Sequence, residues 1–533
     1  MQTFMSYSSR VGSSIFLLLA CMPFGRACLG EDARVLLFEV DGAKQTPISP
    51  FIYGNNQAHW KAAGKLYTLG RVGGNRLTAY NWENNASNAG SDWQHQNDNI
   101  MGGGETPGES MRTAVNAALE AGAACIVTVP IAGYVAADKL GGGDVKKTPN
   151  YLAQRFRLSL PEKGSPFAYP PDLTDNKVYQ DEFVWWLEKT FSNARADERR
   201  TLFYALDNEP DLWAGTHARI HPKKVEYEEL ATLNTAYAAA IKKVAPSALV
   251  FGFVSYGWQG FTTLQNAPDA KGRNFIDYYL QEMRKAEAAA GHRLVDVLDL
   301  HWYPEAQGGG KRITEDDASP AVAAARVQAP RSLWDPAYTE KSWIAGNLHE
   351  PIRLLPRVRQ QIEKQYPGTK LALTEYYYGG GADISGALAE ADALGIFGRE
   401  GLFAACLWHI GRTDDRFIQA AFAMFRDYDG KGGSFGPAGL AVSGGDPAQA
   451  SVYASIDEAR HVVLVAINKT TAALPVKITV KGAPQFSQAS LYRLTAATPK
   501  PSAGAAGEVK ISAAGMLDTE LPAQSVTTFI LLP

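Results

Sequence analysis

Between residues 51 and 430 short apolar runs alternate with segments of helical period. The runs are 51–56 (FIYGNN), 69–75 (LGRVGGN), 124–130 (ACIVTVP), 202–210 (LFYALDNEP), 248–255 (ALVFGFVS), 297–305 (VLDLHWYPE), 370–379 (KLALTEYYYG) and 404–410 (AACLWHI). Most begin with aliphatic or β-branched residues and end in polar or aromatic ones. Continuous apolar runs suit strands buried on both faces, as in a parallel sheet covered by helices. Helical period is carried by 178–194, where Phe183, Leu187, Thr190 and Phe191 recur at i, i+4, i+7 and i+8, and by 222–244, 274–290, 350–365 and 385–397. Eight strand-like runs alternating with helices predict an α/β fold, a (β/α)8 barrel over 46–430. A doubly wound open sheet is the alternative. It lacks support, because no Gly-rich phosphate loop follows the first run.

Beyond about residue 430 the helical period stops and alternating strands take over, at 451–456, 461–468, 476–481, 489–494 and 525–532. This texture predicts a small antiparallel β-sandwich over 431–533. Residues 34–40 (RVLLFEV) also read as a strand. A segment at 31–45 is expected to join that C-terminal sheet.

At the N-terminus, Arg10 precedes the short apolar run 15–21 (IFLLLAC), with small residues at Ala27 and Gly30. That pattern reads as an export signal over 1–30, too short to span a bilayer as a mature helix. The expected location is secreted or periplasmic. Leu18-Leu19-Ala20-Cys21 resembles a lipobox, which ranks lipidation second because Leu19 is unusual there. With 46% hydrophobic and 20% charged residues the chain is globular. With 52 basic against 55 acidic residues it carries no basic face for nucleic acid or an anionic membrane. Two of the four cysteines lie in the signal region. Cys125 and Cys406 sit in apolar runs and read as buried reduced thiols.

In such barrels chemistry sits at the C-terminal ends of the strands. Run two carries Arg71 and Asn75, and run four ends Asp207-Asn208-Glu209-Pro210. Run six ends with His301 and Tyr303, run seven carries Thr374-Glu375-Tyr376, and run eight ends Trp408-His409. A carboxylate in an apolar strand is costly unless paired or used. Glu209 and Glu375 close strands four and seven, which face each other across the barrel mouth. Glycoside cleavage needs one acid to protonate the leaving oxygen and a second carboxylate at the anomeric carbon. Asn208 is placed to bond a sugar 2-hydroxyl.

These residues resemble the retaining barrel glycosidases, and the stretches 206–222 (LDNEPDLWAGTHARIHP), 300–305 (LHWYPE), 374–380 (TEYYYGG) and 80–93 (YNWENNASNAGSDW) narrow the resemblance. From about residue 34 to the C-terminus the chain is similar to glycoside hydrolase family 44, endo-acting β-1,4-glucanases that include xyloglucanases. The resemblance implies a barrel plus a sandwich built from both termini. It also implies Glu209 as acid/base and Glu375 as nucleophile. Arg71 and Tyr303 then resemble the partners of the nucleophile, and Trp408 the aromatic floor under the sugar. Asn75, Asn208 and His301 are expected to bind substrate. So is Trp82, which with Trp93 stands among seven Asn between 75 and 99, a mixture that suits a sugar-stacking groove.

His217 and His221 are spaced i, i+4, but HExxH is absent and Pro222 follows, so no catalytic metal or other cofactor is expected. A structural Ca²⁺ at surface carboxylates stays open. The expected partner is a β-glucan polysaccharide, and the expected state a monomer. Two alternatives remain: another four-and-seven barrel glycosidase, such as a mannanase or xylanase, and a carbohydrate-binding protein that has lost catalysis.

Overall fold

The structure, a computed structural model, describes residues 35–533 except 57, 410–413, 483–485, 487, 506–507 and 513–514. The export signal, the lipobox and Arg34 lie outside the described residues. No helix among the described residues is long and apolar enough to cross a membrane.

Eight parallel strands close into a barrel in the order of the chain. They are Gly54–Asn56, Leu69–Val72, Ala124–Val129, Leu202–Leu206, Val250–Ser255, Val297–Trp302, Lys370–Tyr376 and Ala404–Leu407. Each falls within one of the apolar runs, and below they are barrel strands one to eight. The runs are continuous because both faces are buried. Leu69, Ile126, Phe203, Ala205, Phe251, Val297, Ala372 and Cys406 fill the barrel interior. Their neighbours of opposite parity, among them Cys125, Val127, Leu202, Leu206, Leu298 and Leu373, pack outward under the helices. The lower end of the bore is plugged by aromatic rings, with Phe51, Phe251 and Phe403 all packed on Phe203 at centroid distances of 5.1, 5.6 and 6.0 Å. Polar side chains therefore have one place left to collect, the upper mouth.

The five predicted helices form as Gln180–Thr190, Tyr227–Val244, Phe275–Ala290, Leu354–Gln365 and Ile384–Arg399. Local chemistry sets several of their ends. Glu226 and Glu229 make a reciprocal capping box, Asn274 accepts from the Asp277 amide, and Asp383 accepts from the Ser385 amide. Cys125 faces the outer layer and Cys406 the bore, and both are free, buried thiols.

The C-terminal part is one ten-stranded sheet folded on itself around its own apolar core, which includes Phe38, Val40, Leu464, Ile478 and Phe529. The N-terminal strand, Leu36–Pro47, lies between strands Ala438–Gly444 and Leu474–Lys481. It runs two residues past the expected boundary at 45 and carries a bulge between Asp41 and Gln45. Its pairing with Leu474–Lys481 is parallel, so the sandwich is not wholly antiparallel. Strands Ala438–Gly444, Thr498–Ala503 and Met516–Leu521 were not predicted. Their exposed or weakly apolar faces carry little alternation. A buried ion pair, Lys469 to Asp392 at 2.8 Å, ties the sheet to barrel helix Ile384–Arg399, where Tyr453 also donates to Asp392.

Candidate active site

The end of barrel strand four is built by Asp207. Its buried carboxylate accepts from the backbone amides of Ile131 at 2.6 Å and Asn208 at 2.8 Å and from the indole of Trp213. Asp207 and Glu209 both take left-handed backbone angles, φ 68° and 46°, a conformation that costs a non-glycine residue about 1–2 kcal/mol. The Glu209 amide donates to the Val254 carbonyl of the next strand. This bonding holds the reversed turn that lifts the Glu209 side chain over the mouth.

Glu375, at the end of strand seven, is held by two donors. Arg71 Nη1 reaches its Oε1 at 2.7 Å, and the Tyr303 hydroxyl donates to Oε2 at 2.8 Å. Arg71 is fully buried and its remaining bonds go to Asn56 Oδ1 at 3.1 Å and Asn208 Oδ1 at 2.8 Å. Asn56 in turn donates to the Thr374 carbonyl. Asn56 was missed as a site residue, although the Asn-Asn pair closing the first run could have flagged it.

Carboxylate oxygens of Glu209 and Glu375 and a ring nitrogen of His301 all lie within 4.8 Å of one another. His301 Nδ1 is 2.9 Å from Glu209 Oε1 and 3.5 Å from Glu375 Oε2. Its ring is wholly buried, and burial pushes it down to about 3, so it is neutral. This corrects the expectation for His301: it lies beneath the two carboxylates and touches them, and it has no surface for sugar. The three side chains are also the group of described residues closest to a metal-ligand arrangement. The Arg71 guanidinium on Glu375 already supplies the positive charge there, which disfavours a dication. His217 and His221 form no ligand pair: His217 packs buried against Gly90, while His221 bonds Glu229 at 3.0 Å.

The two carboxyls have different surroundings. Burial pushes Glu209 up to about 7, against the opposing charge of Arg71 and with a contribution from Asp92. Glu375 has a full guanidinium and a phenol aimed at it. The Glu209 carboxyl is thus suited to hold a proton near neutrality, whereas Glu375 is fixed in place by its two donors.

Around them opens a groove of about 1090 Å³, just above the ~300–1,000 Å³ of ordinary small-molecule sites. Arg71, Asn75, Asn208, Glu209, Tyr303, Glu375 and Trp408 all line it. Trp408 stands against the glycine turn after strand two. Gly74 has φ 91°, and a Cβ there would run into the indole ring. Asn75 bridges two side chains, donating to Asp92 at 2.9 Å and accepting from Asn208 at 3.4 Å.

Trp82 is a correction. It is 1% exposed and stacks on Phe183 and Trp186 at 5.7 and 5.9 Å, in the core. The asparagines around it are spent on holding the loop to itself and to the connection after strand three. Asn81, Asn84, Asn85 and Asn97 donate to backbone carbonyls of Ala136, Ala137, Thr106 and Arg155, and Asn88 donates to Asn97. Of the seven Asn in that stretch, Asn75 alone lines the groove. The missed aromatic residues are Tyr256 and Trp258, just past strand five, Trp302, which ends strand six, and Trp343, in the connection between strands six and seven.

Comparison with known proteins agrees with this arrangement. The model of glycoside hydrolase family 44 matches residues 86–306. A solved xyloglucanase of family 44 from Paenibacillus polymyxa is 39% identical, with a TM-score of 0.88 over 94% of this chain and 100% of that one. Endoglucanase A of Paenibacillus lautus is 43% identical over 444 residues, 80% of this chain and 62% of that protein. Beta-mannanase/endoglucanase A of Caldicellulosiruptor saccharolyticus is 41% identical over 488 residues, 86% of this chain and 36% of that protein. The chain therefore spans less than two thirds of either curated relative. The solved Paenibacillus polymyxa xyloglucanase, 39% identical, is covered end to end, and the chain belongs to glycoside hydrolase family 44.

Proposed function

We propose that this chain hydrolyses internal β-1,4-glucosidic bonds of a glucan, such as xyloglucan or a cellulose derivative, with retention of anomeric configuration. Glu375 attacks the anomeric carbon while Glu209 gives its proton to the departing glycosidic oxygen. A glycosyl ester on Glu375 forms and the glucan chain is cut. Glu209, now a carboxylate, takes a proton from water as that water attacks the same carbon and frees Glu375. Arg71 and Tyr303 hold the nucleophile aimed through their hydrogen bonds to its two oxygens, and Trp408 offers the ring a stacking face.

The observation that carries this reading is the pair of carboxyls across the groove, oxygen to oxygen within 4.8 Å. That approach is close to the ~5–5.5 Å of retaining sites and leaves no room for the water an inverting enzyme needs between them. The open, Trp-lined groove supports internal cutting. The relatives' names include xyloglucanase, endoglucanase and mannanase, so the test panel holds xyloglucan, hydroxyethyl cellulose, mannan and xylan. An internal cutter lowers viscosity well before reducing ends accumulate. Release of single glucose units at constant viscosity would refute it. The mechanism is read from azide rescue: Glu209→Ala should give a β-glycosyl azide and Glu375→Ala an α-glycosyl azide. The reverse pairing would exchange the two roles. A polymeric substrate also fits export through the segment at 1–30, which N-terminal sequencing of secreted material tests.

A further inference from the structure

We infer that Asp92 is a specificity residue of this groove: its carboxylate, fixed by Asn75, accepts hydroxyl hydrogen bonds from a bound neutral sugar and repels sugars that carry a negative charge. This rests on the reading of the chain as a polysaccharide hydrolase and adds a selectivity to it.

The charges that face the groove are nearly all paired. Seven of its lining residues are ionisable as acids or as Arg: Arg71, Arg76, Asp92, Glu209, Glu305, Arg312 and Glu375. Three ion pairs absorb most of them, Arg71 with Glu375 at 2.7 Å, Arg76 with Asp98 at 2.7 Å and Arg312 with Glu305 at 2.8 Å. Glu209 faces neutral His301. Asp92 is left, and among the described residues it has no cationic partner.

Asp92 is nevertheless held in place. It sits in the short turn Gly90–Trp93, where Asn75 Nδ2 donates to its Oδ1 at 2.9 Å. Asn75 is itself tied to Asn208, the neighbour of Glu209 in sequence. The amide bonds Oδ1, and the exposed side chain of Asp92 lines the groove. An ionised acceptor forms charge-assisted bonds with neutral donors, which a sugar hydroxyl supplies. The same carboxylate set against a carboxymethyl or uronate group gives a like-charge contact that no ion-pair partner of Asp92 among the described residues offsets. Asp92 is also within electrostatic reach of the reacting centre, since its charge is one of the causes that raise Glu209.

The test compares kcat/KM on carboxymethyl cellulose and on hydroxyethyl cellulose, for wild type and for the isosteric Asp92→Asn. At low salt the ratio of anionic to neutral substrate should rise about 3- to 10-fold in Asp92→Asn, the range expected for one partly exposed charge. In about 0.5 M salt most of that gain should vanish, because the screening length falls to a few Å. Asp92→Glu should keep the wild-type ratio. An unchanged ratio in Asp92→Asn that melts like wild type overturns the inference, and so does a gain that high salt leaves intact. Should Asp92→Asn fail to fold, Asp92→Ser on the same exposed turn reads the same ratio. Wild-type enzyme inert on both polymers would sink the hydrolase reading itself, and this inference with it.

Discussion

Activity on polysaccharide should collapse above about pH 7, and the collapse should depend on the leaving group. Glu209 must hold its proton to act as the acid. Burial pushes its carboxyl up to about 7. Above that pH the protonated fraction falls about tenfold per unit, to ~10% at pH 8 and ~1% at pH 9. A sugar leaving group cannot depart without the proton, so kcat/KM on xyloglucan oligosaccharides should follow that fraction. The perturbation is then a change of leaving group. With a 2,4-dinitrophenyl cellooligosaccharide the departing phenolate needs no acid, and glycosylation should stay nearly flat from pH 7 to 9. Glu209→Ala should lose about 10²–10⁴-fold on the oligosaccharide, the usual contribution of a general acid, and much less in the glycosylation of the dinitrophenyl substrate. Stopped-flow release of dinitrophenolate isolates that step from the hydrolysis that follows. Glu209 is not the acid if the alkaline limb on oligosaccharides is the same in Glu209→Ala as in wild type, or if it persists unchanged in the dinitrophenolate burst.

Three further outcomes follow from the same geometry. Tyr303→Phe removes the 2.8 Å donor to Glu375 and nothing else of the ring. A hydrogen bond to a charged group is worth about 1.5–3 kcal/mol, so steady-state assay should find kcat lowered roughly 10- to 100-fold with the melting temperature little changed. Trp82→Ala should cost about 3–5 kcal/mol of stability by chemical denaturation, because the ring is core, whereas Trp408→Ala should chiefly weaken substrate binding and transition-state contacts at ordinary stability. Finally, burial raises Asp207 to about 6, Asp299 to about 7 and Asp211, Glu83 and Glu390 to about 8. These groups bind more protons folded than unfolded between about pH 4 and 8, so the stability they confer is present at low pH and is lost as pH rises. Calorimetry should give a higher melting temperature at pH 5 than at pH 8.

The barrel was legible because a strand buried on both faces leaves an uninterrupted apolar run, and each run ended where polar groups could meet solvent. Glu209 and Glu375 stood out for the same reason: nothing in the wall of an apolar strand accounts for a carboxylate. The roles of Arg71 and Tyr303 needed the family resemblance, since an Arg ending one strand and a Tyr ending another do not announce that they converge on a single oxygen pair. Strand Thr498–Ala503 was not legible, because it lies exposed at one edge of its sheet and carries no alternation to read.

The groove aromatics show where sequence reasoning stops. Trp82 and Trp258 are the same residue type, and each lies in a segment following a barrel strand. Trp82 falls in a long excursion that folds back on the barrel, and there the Asn side chains are consumed by backbone carbonyls of the connection after strand three and of the excursion itself, while the indole is driven under Phe183 and Trp186. Trp258 comes three residues after strand five. Asp211 anchors that short turn through the Ser255 hydroxyl and the Tyr256 amide, so the indole stays at the groove wall. What separates platform from core is therefore how the loop is tied to its neighbours, and that depends on contacts from other connections. Asp211 supplies one such contact, as buried Asp207 does for the turn that presents Glu209. Two acidic residues of the same DNEPD stretch thus shape the site from below, one setting the acid and the other the surface on which a sugar would lie.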